Sequence, residues 1–123
     1  MLVIMNDLPE SALGVSGEGK ITGTDYETVF IPALEKKIET NKKIQLLYHL
    51  GTGFTGFDLS AMYDDAKVGF KYLHAFTKIA LVSDRPIINN LAKFFGDILS
   101  CDLRIFKDSE LNAAKEWIAE KQG

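Results

Sequence analysis

Lys43 to Leu50, "KIQLLYHL", and Lys78 to Asp84, "KIALVSD", are short, largely apolar runs. Each is followed by a segment whose apolar residues recur at helical spacing. A strand covered on both faces reads as a continuous apolar run, whereas a half-covered strand alternates. Apolar runs that alternate with helices restrict the chain to an α/β fold with parallel strands at its centre.

The flanking segments complete that reading. Residues 1–6 and 12–18 read as two strands joined by the turn "NDLPES", with Pro9 and Ser11 as turn residues. Thr24-x-x-Glu27 has the form of a capping box, in which the hydroxyl takes a free backbone amide and the Glu reaches back. The helix after it carries Tyr26, Phe30, Ala33, Leu34 and Ile38 on one face and Glu27, Glu35 and Glu39 opposite. Pro32 lies inside that pattern, where it costs roughly 3 kcal/mol, so a kink or a two-part helix is expected.

Leu59, Met62, Tyr63, Ala66, Phe70, Leu73 and Phe76 predict a second helix over 59–76, and Pro86 opens a third over 86–99. "LRIFKD" (103–108) reads as the last strand, with Asp108 or Ser109 capping a final helix that carries Leu111, Ala114, Trp117 and Ile118. The predicted order is β-β-α-β-α-β-α-β-α, a mixed five-stranded sheet with a parallel centre and helices on its faces.

The 123 residues are expected to form one domain, 1–123, burying about two-thirds of the unfolded chain's surface. A net charge of −3 gives no basis for a nucleic-acid partner, which requires a strongly basic face. Cys101 is the single cysteine, so no internal disulfide can form, as befits a reducing cytoplasm. Met1 to Met5 is apolar but lacks a basic flank and is too short for a leader or a membrane span; it reads as a strand.

Gly51, Gly53 and Gly56 spell G-x-G-x-x-G, the spacing that brings backbone amides to a pyrophosphate. The fingerprint needs a helix that opens within it and an acid about 20 residues on. Here the helix starts near Asp58 to Ser60, after the third glycine, and the acid at the next strand's end is Asp84, well beyond that offset. No Walker motif is present. The glycines are then expected to be hinges of a loop over 51–58 that leaves the strand's carboxyl end, with Phe54 and Phe57 near its tip. Such rings pack in the core, close over a pocket, or meet a partner or bilayer.

From Phe57 onward, "FDLSAMYDDAKVGFKYLHAFTKIALVSDR" and "LRIFKDSELNAAKEWI" resemble the SpoIIAA-like bacterial domains, which are related to STAS domains. The resemblance is carried by Asp58, Ala61 and Asp65 in D-x-x-A-x-x-x-D, by Gly69-Phe70, by His74-x-Phe76, by Asp84-Arg85 and by Ala114 and Trp117. "IPALEKKIETNKKIQLL" (31–47) fits the earlier helix-strand pair. The resemblance implies a fold shared in outline with anti-sigma-factor antagonists and with CRAL-TRIO lipid carriers. Antagonists bind a kinase-like protein and are switched by phosphorylation of a serine at the start of the helix after the middle strand. CRAL-TRIO proteins hold a hydrophobic ligand under a movable helix.

These relatives direct attention to particular residues. Ser60 is the hydroxyl near the switch position, where the helix dipole favours a phosphate but Asp58, Asp64 and Asp65 repel it. Its alternative role is that of an ordinary helix-start residue. Lys67, Lys71 and His74 fall on one helical stripe, either as solvated surface or as a contact for anionic headgroups. Ile87, Ile88, Leu91, Phe94, Phe95, Ile98 and Leu99 fill an arc wider than sheet packing demands: most are expected in the core, and any one or two that face the long helix instead would line an apolar pocket between the helices. Met62 and Phe70 would face it from the preceding helix.

Catalysis is not expected. His49 and His74 lack a third metal ligand, Asp102 beside Cys101 disfavours a thiolate, and no nucleophile, base and orienting group come together in the sequence. The leading expectation is a cytoplasmic binding module without metal or cofactor, for a hydrophobic small molecule or lipid, with transient contact at the inner face of the membrane. The alternative is a protein-interaction module of the antagonist type, phosphorylated at Ser60.

Overall fold

The computed structural model describes residues 1–72, 74–98 and 101–120, with the backbone alone at 95 and 98. Strands β1 (Leu2–Met5), β2 (Ala12–Ile21), β3 (Ile44–Phe57), β4 (Phe76–Ser83) and β5 (Asp102–Phe106) form one sheet in sequential order. β1 is antiparallel to β2, and every other neighbouring pair is parallel. The mixed five-stranded sheet and the element order are those the sequence predicts.

Side chains alternate across this sheet. Leu13, Val15, Leu46, Tyr48 and Leu81 join one buried cluster with Tyr26, Phe30, Leu34, Ala61 and Val68 from the helices on that side. Ala12, Leu47, Ala80 and Val82 join a second cluster, closed by Ala114, Trp117 and Ile118 of α5 (Leu111–Ala119). Right-handed crossovers that step one way across the sheet place the helices after β2, β3 and β4 on a single face, leaving α5 the other.

The first helical segment is divided into α1 (Gly23–Asp25), a π-helical turn (Tyr26–Phe30) and α2 (Ile31–Thr40). Pro32 stands in the first turn of α2, directly after the π-helical turn, whose wider closure of the Ile31 amide onto the Tyr26 carbonyl accommodates the missing proline amide while the backbone stays helical. The expected two-part helix is present. Its capping box is at Thr22 and Asp25, not at Thr24 and Glu27: Asp25 accepts from the Thr22 amide at 2.8 Å, and Thr22 Oγ1 accepts from the Asp25 amide at 3.2 Å.

A larger correction concerns the glycine stretch. Gly51 to Phe57 is no loop; it is the second half of β3, and Phe54, Gly56 and Phe57 pair with Gly19, Lys20 and Ile21 of β2. The register jumps between Gly17 and Gly19, so Glu18 alone stands opposite Gly51, Thr52 and Gly53. Gly19 at φ 58° and Gly56 at φ 145° take backbone angles that side chains disfavour, which lets both strands continue through the irregularity.

Other boundaries move less. α3 (Leu59–Lys71) stops short of Phe76, which opens β4. α4 spans Pro86–Ile98, and Leu73 and Leu99 lie outside the described residues. The final helix enters through a 3₁₀ turn (Asp108–Glu110) in which Glu110 accepts the Lys107 amide at 2.7 Å. Asp108 does not cap it with its side chain, which is turned instead to His49.

Candidate functional site

α3 is held by its first turn. Asp58 Oδ1 accepts the Ala61 amide at 2.7 Å and the Gly23 amide at 3.2 Å, capping α3 while tying it to α1. Gly23 is needed for this approach, because a Cβ there would lie 2.5 Å from the Cβ of Ser60. One turn on, the Tyr26 hydroxyl donates to Asp65 Oδ1 at 2.7 Å and lies 3.0 Å from the Tyr48 hydroxyl. Having given its proton to Asp65, Tyr26 must accept the one from Tyr48.

The electrostatics follow from burial. Desolvation, reinforced by the Asp65 charge, pushes the Tyr26 hydroxyl far above the ordinary phenol range, and burial likewise raises Tyr48. Both remain neutral donors. Asp65 keeps exposed surface as a residue, yet the matter packed around its carboxyl group raises its pKa, against the lowering effect of the Tyr26 bond. Asp64 is buried, and its Oδ2 has no hydrogen-bond partner. It does not serve as the solvated neighbour of Lys67.

With Ala61, Asp64 and Val68 facing inward, the apolar side of α3 is turned to solvent. Leu59 is 83% exposed, Met62 53%, Tyr63 65% and Phe70 84%. α4 does the same on a smaller scale, exposing Ile87, Leu91 and Phe94 while Ile88 and Ala92 pack inward. The Phe95 side chain lies outside the described residues. α3 leans chiefly on α1 and the π-helical turn, and α4 on β4 and β5.

The remaining predicted residues are divided. Phe54 is fully buried and Phe57 half-buried, their rings 5.0 Å apart, with Arg85 5.0 Å over the Phe54 ring and donating to the Phe54 carbonyl. Phe54 therefore anchors the core and offers no ring to a ligand or bilayer. Gly51, Gly53 and Gly56 are strand residues, not hinges. Lys67 lies 5.5 Å over the Tyr63 ring, and Lys71 pairs with Glu35 at 3.6 Å. His74 follows the helix end, so it does not share their stripe. Ser60 is exposed in the first turn.

The structure also aligns three residues that sequence reasoning did not connect. His49 Nε2 is 2.7 Å from Asp108 Oδ1, and Ser16 Oγ is 3.5 Å from His49 Nδ1. The Asp108 amide in turn donates to Asp84 at 3.0 Å. Ser16 and His49 are neighbours in the β2–β3 register, which no local signal reveals. The short bond to Asp108 orients the imidazole, and at 3.5 Å the serine contact is longer than the 2.6–3.2 Å of a general base in working geometry. Burial, then Asp102, raises the Cys101 thiol. Among the described residues no cluster of three His, Cys, Asp or Glu is set to hold a metal, and no helix is long and apolar enough to cross a membrane.

The chain is similar to known proteins in sequence pattern and in fold. A family model described as SpoIIAA-like matches residues 12–119. An uncharacterised protein with a SpoIIAA-like fold from Shewanella loihica PV-4 is similar in structure, with a TM-score of 0.77 at 24% identity, over 95% of this chain and 93% of that one. That likeness is one of fold. No curated protein matches the chain.

Proposed function

The chain belongs to the SpoIIAA-like family, and on that premise we propose that it is a non-catalytic regulatory module of the STAS type, binding a protein partner in the cytoplasm. One observation carries the reading: α3 is capped and bonded so that Ala61, Asp64 and Val68 face inward while Leu59, Met62, Tyr63 and Phe70 face out. A monomer's largest exposed apolar patch is roughly 300–600 Å², and larger ones mark interaction surfaces. Ser60, exposed beside that face, is the position at which phosphorylation would alter it. A phosphate there gains from the helix dipole and is opposed by Asp58, Asp64 and Asp65, so its effect would be to loosen the helix start.

The test is a photo-activatable side chain at position 62 or 70, introduced in the organism that makes the protein. A discrete protein adduct that is absent with the same group at Lys36, an exposed site on α2, supports the reading. Equal adducts at all three positions contradict it.

A hydrophobic or lipid ligand, with transient contact at the inner face of the membrane, is the second reading. It is favoured by Phe70, 84% exposed on the helix that also carries Lys67 and Lys71, with Met62, Leu91 and Phe94 also exposed. Co-flotation with neutral and anionic liposomes separates the two. Flotation lost in Phe70→Ser would favour lipid, and protein left at the bottom would favour a protein partner.

A further inference from the structure

We propose that the chain forms a two-fold homodimer in which β5 pairs antiparallel with the partner's β5 about a centre at Leu103, joining the two sheets into one. The inference goes beyond the reading of α3 and uses none of its residues. β5 is the last strand of the sheet and pairs with β4 alone, so its other side presents backbone amides and carbonyls that are unpaired among the described residues. Charged side chains commonly keep such edges from pairing. On β5 the two charges are of opposite sign: Asp102 and Arg104 lie two positions apart on one face, 3.9 Å from each other. Arg104 also lies 4.7 Å over the Trp117 ring, which places this face on the side of α5.

Charge complementarity names the occupant. In a two-fold contact, residue i meets j and j meets i, and residues directly opposite in an antiparallel pair share a face. About a centre at Leu103, Asp102 meets the partner's Arg104, and Arg104 meets the partner's Asp102. Together with the pair inside each strand, the four charges alternate around a square. On the other face Leu103 meets the partner's Leu103, and Ile105 meets the partner's Cys101. Neighbouring centres fail. At Asp102 or Arg104 like charges stand opposite each other, and at Ile105, Leu103 meets the partner's Lys107. β5 thus fits a strand that sets a cation against Asp102 and an anion against Arg104, and an antiparallel second copy supplies both.

Shape agrees with charge. On the face away from α5, a groove of about 650 Å³ lies between α4 and β5, lined by Lys93, Gly96 and Asp97 of α4 and by Leu103 and Ile105 of β5. Among the described residues none of β4 lines it, so it opens along the free side of the strand. Gly96 keeps α4 close above the strand, since a Cβ there would lie 3.4 Å from the Leu103 Cβ. The partner's Leu103, turned to the same face, falls beside this groove. At the opposite edge of the sheet, β1 carries no charged side chain, so no charge there selects a register.

Sedimentation equilibrium from about 1 to 200 µM, a range bracketing micromolar dissociation constants, tests the proposal. The wild type is expected to be a dimer. Asp102→Arg and Arg104→Asp each put one sign of charge at all four corners of the square and should raise Kd at least tenfold. Their side chains are 54% and 57% exposed, so the thermal transition of the monomer should be kept. An equimolar mixture of the two variants sets positive against negative at both pairs and should dimerise again. The chain carrying both substitutions keeps the alternation and should dimerise like the wild type, which gives the answer even where a single variant does not fold. A wild type that stays monomeric overturns the proposal. So does a dimer that neither single change weakens, a mixture that stays monomeric, or a doubly substituted chain that folds but does not dimerise.

Discussion

Tyr26 lies under α3 with its hydroxyl 2.7 Å from Asp65, and this bond, together with the Asp58 cap, sets the helix's rotation about its own axis. Once Asp65 is drawn to Tyr26 and Asp64 is turned in toward Gly23, residues 59, 62, 63 and 70 have nowhere to face but outward. The outward apolar face of α3 is therefore a consequence of a polar network beneath it.

That network makes stability depend on pH in a definite direction. The pKa of Asp65 is raised in the folded protein, chiefly by burial. A raised carboxyl pKa favours folding fully below the ordinary carboxylate value, and this contribution is lost as pH rises through the folded value. Asp65→Asn should remove that decline, leaving the variant more stable than wild type at neutral pH and similar to it near pH 3. Urea midpoints measured across that range check it, and a variant less stable at neutral pH would reject the assignment.

Asp58→Ala should cost about 1–2 kcal/mol, since one carboxylate oxygen serves both an N-cap and the Gly23 amide. Asp58→Asn should recover most of the loss, because an amide oxygen can accept the same bonds. Guanidinium denaturation of the two variants is the measurement.

Gly23→Ala places a methyl 2.5 Å from the Ser60 Cβ. Overpacking of this kind costs about 1–3 kcal/mol, and here the strain falls on the start of α3. Faster amide exchange in residues 59–62 than in α5 would locate it there, and an unchanged pattern would show that α1 and α3 are not in close contact.

Much of the architecture was legible in the sequence. Apolar runs at 43–50 and 78–84 and four helical segments were enough for the sheet, its parallel centre and the helix order. The continuation of β3 through Gly51–Phe57 was not, because its partner is the end of β2, and pairing that passes a three-against-one irregularity leaves no alternation to read. The face of α3 was hidden for a different reason. Periodicity shows that Leu59, Met62, Tyr63 and Phe70 lie together, but not whether they meet the sheet. That is decided by Gly23, Tyr26 and Asp58, which lie outside the helix. The line of Ser16, His49 and Asp108 likewise exists only once strand register is known.

The account's central claim is that α3 carries its apolar stripe on the outside. Comparing the unfolding free energies of Phe70→Ser and Val68→Ser tests this most directly, because the two residues are two positions apart and 84% and 7% exposed. Phe70→Ser should change stability by no more than about 0.5 kcal/mol, whereas Val68→Ser should cost about 2 kcal/mol or more. The opposite order, with Phe70→Ser the damaging change, would mean that the stripe is core and the docking face does not exist.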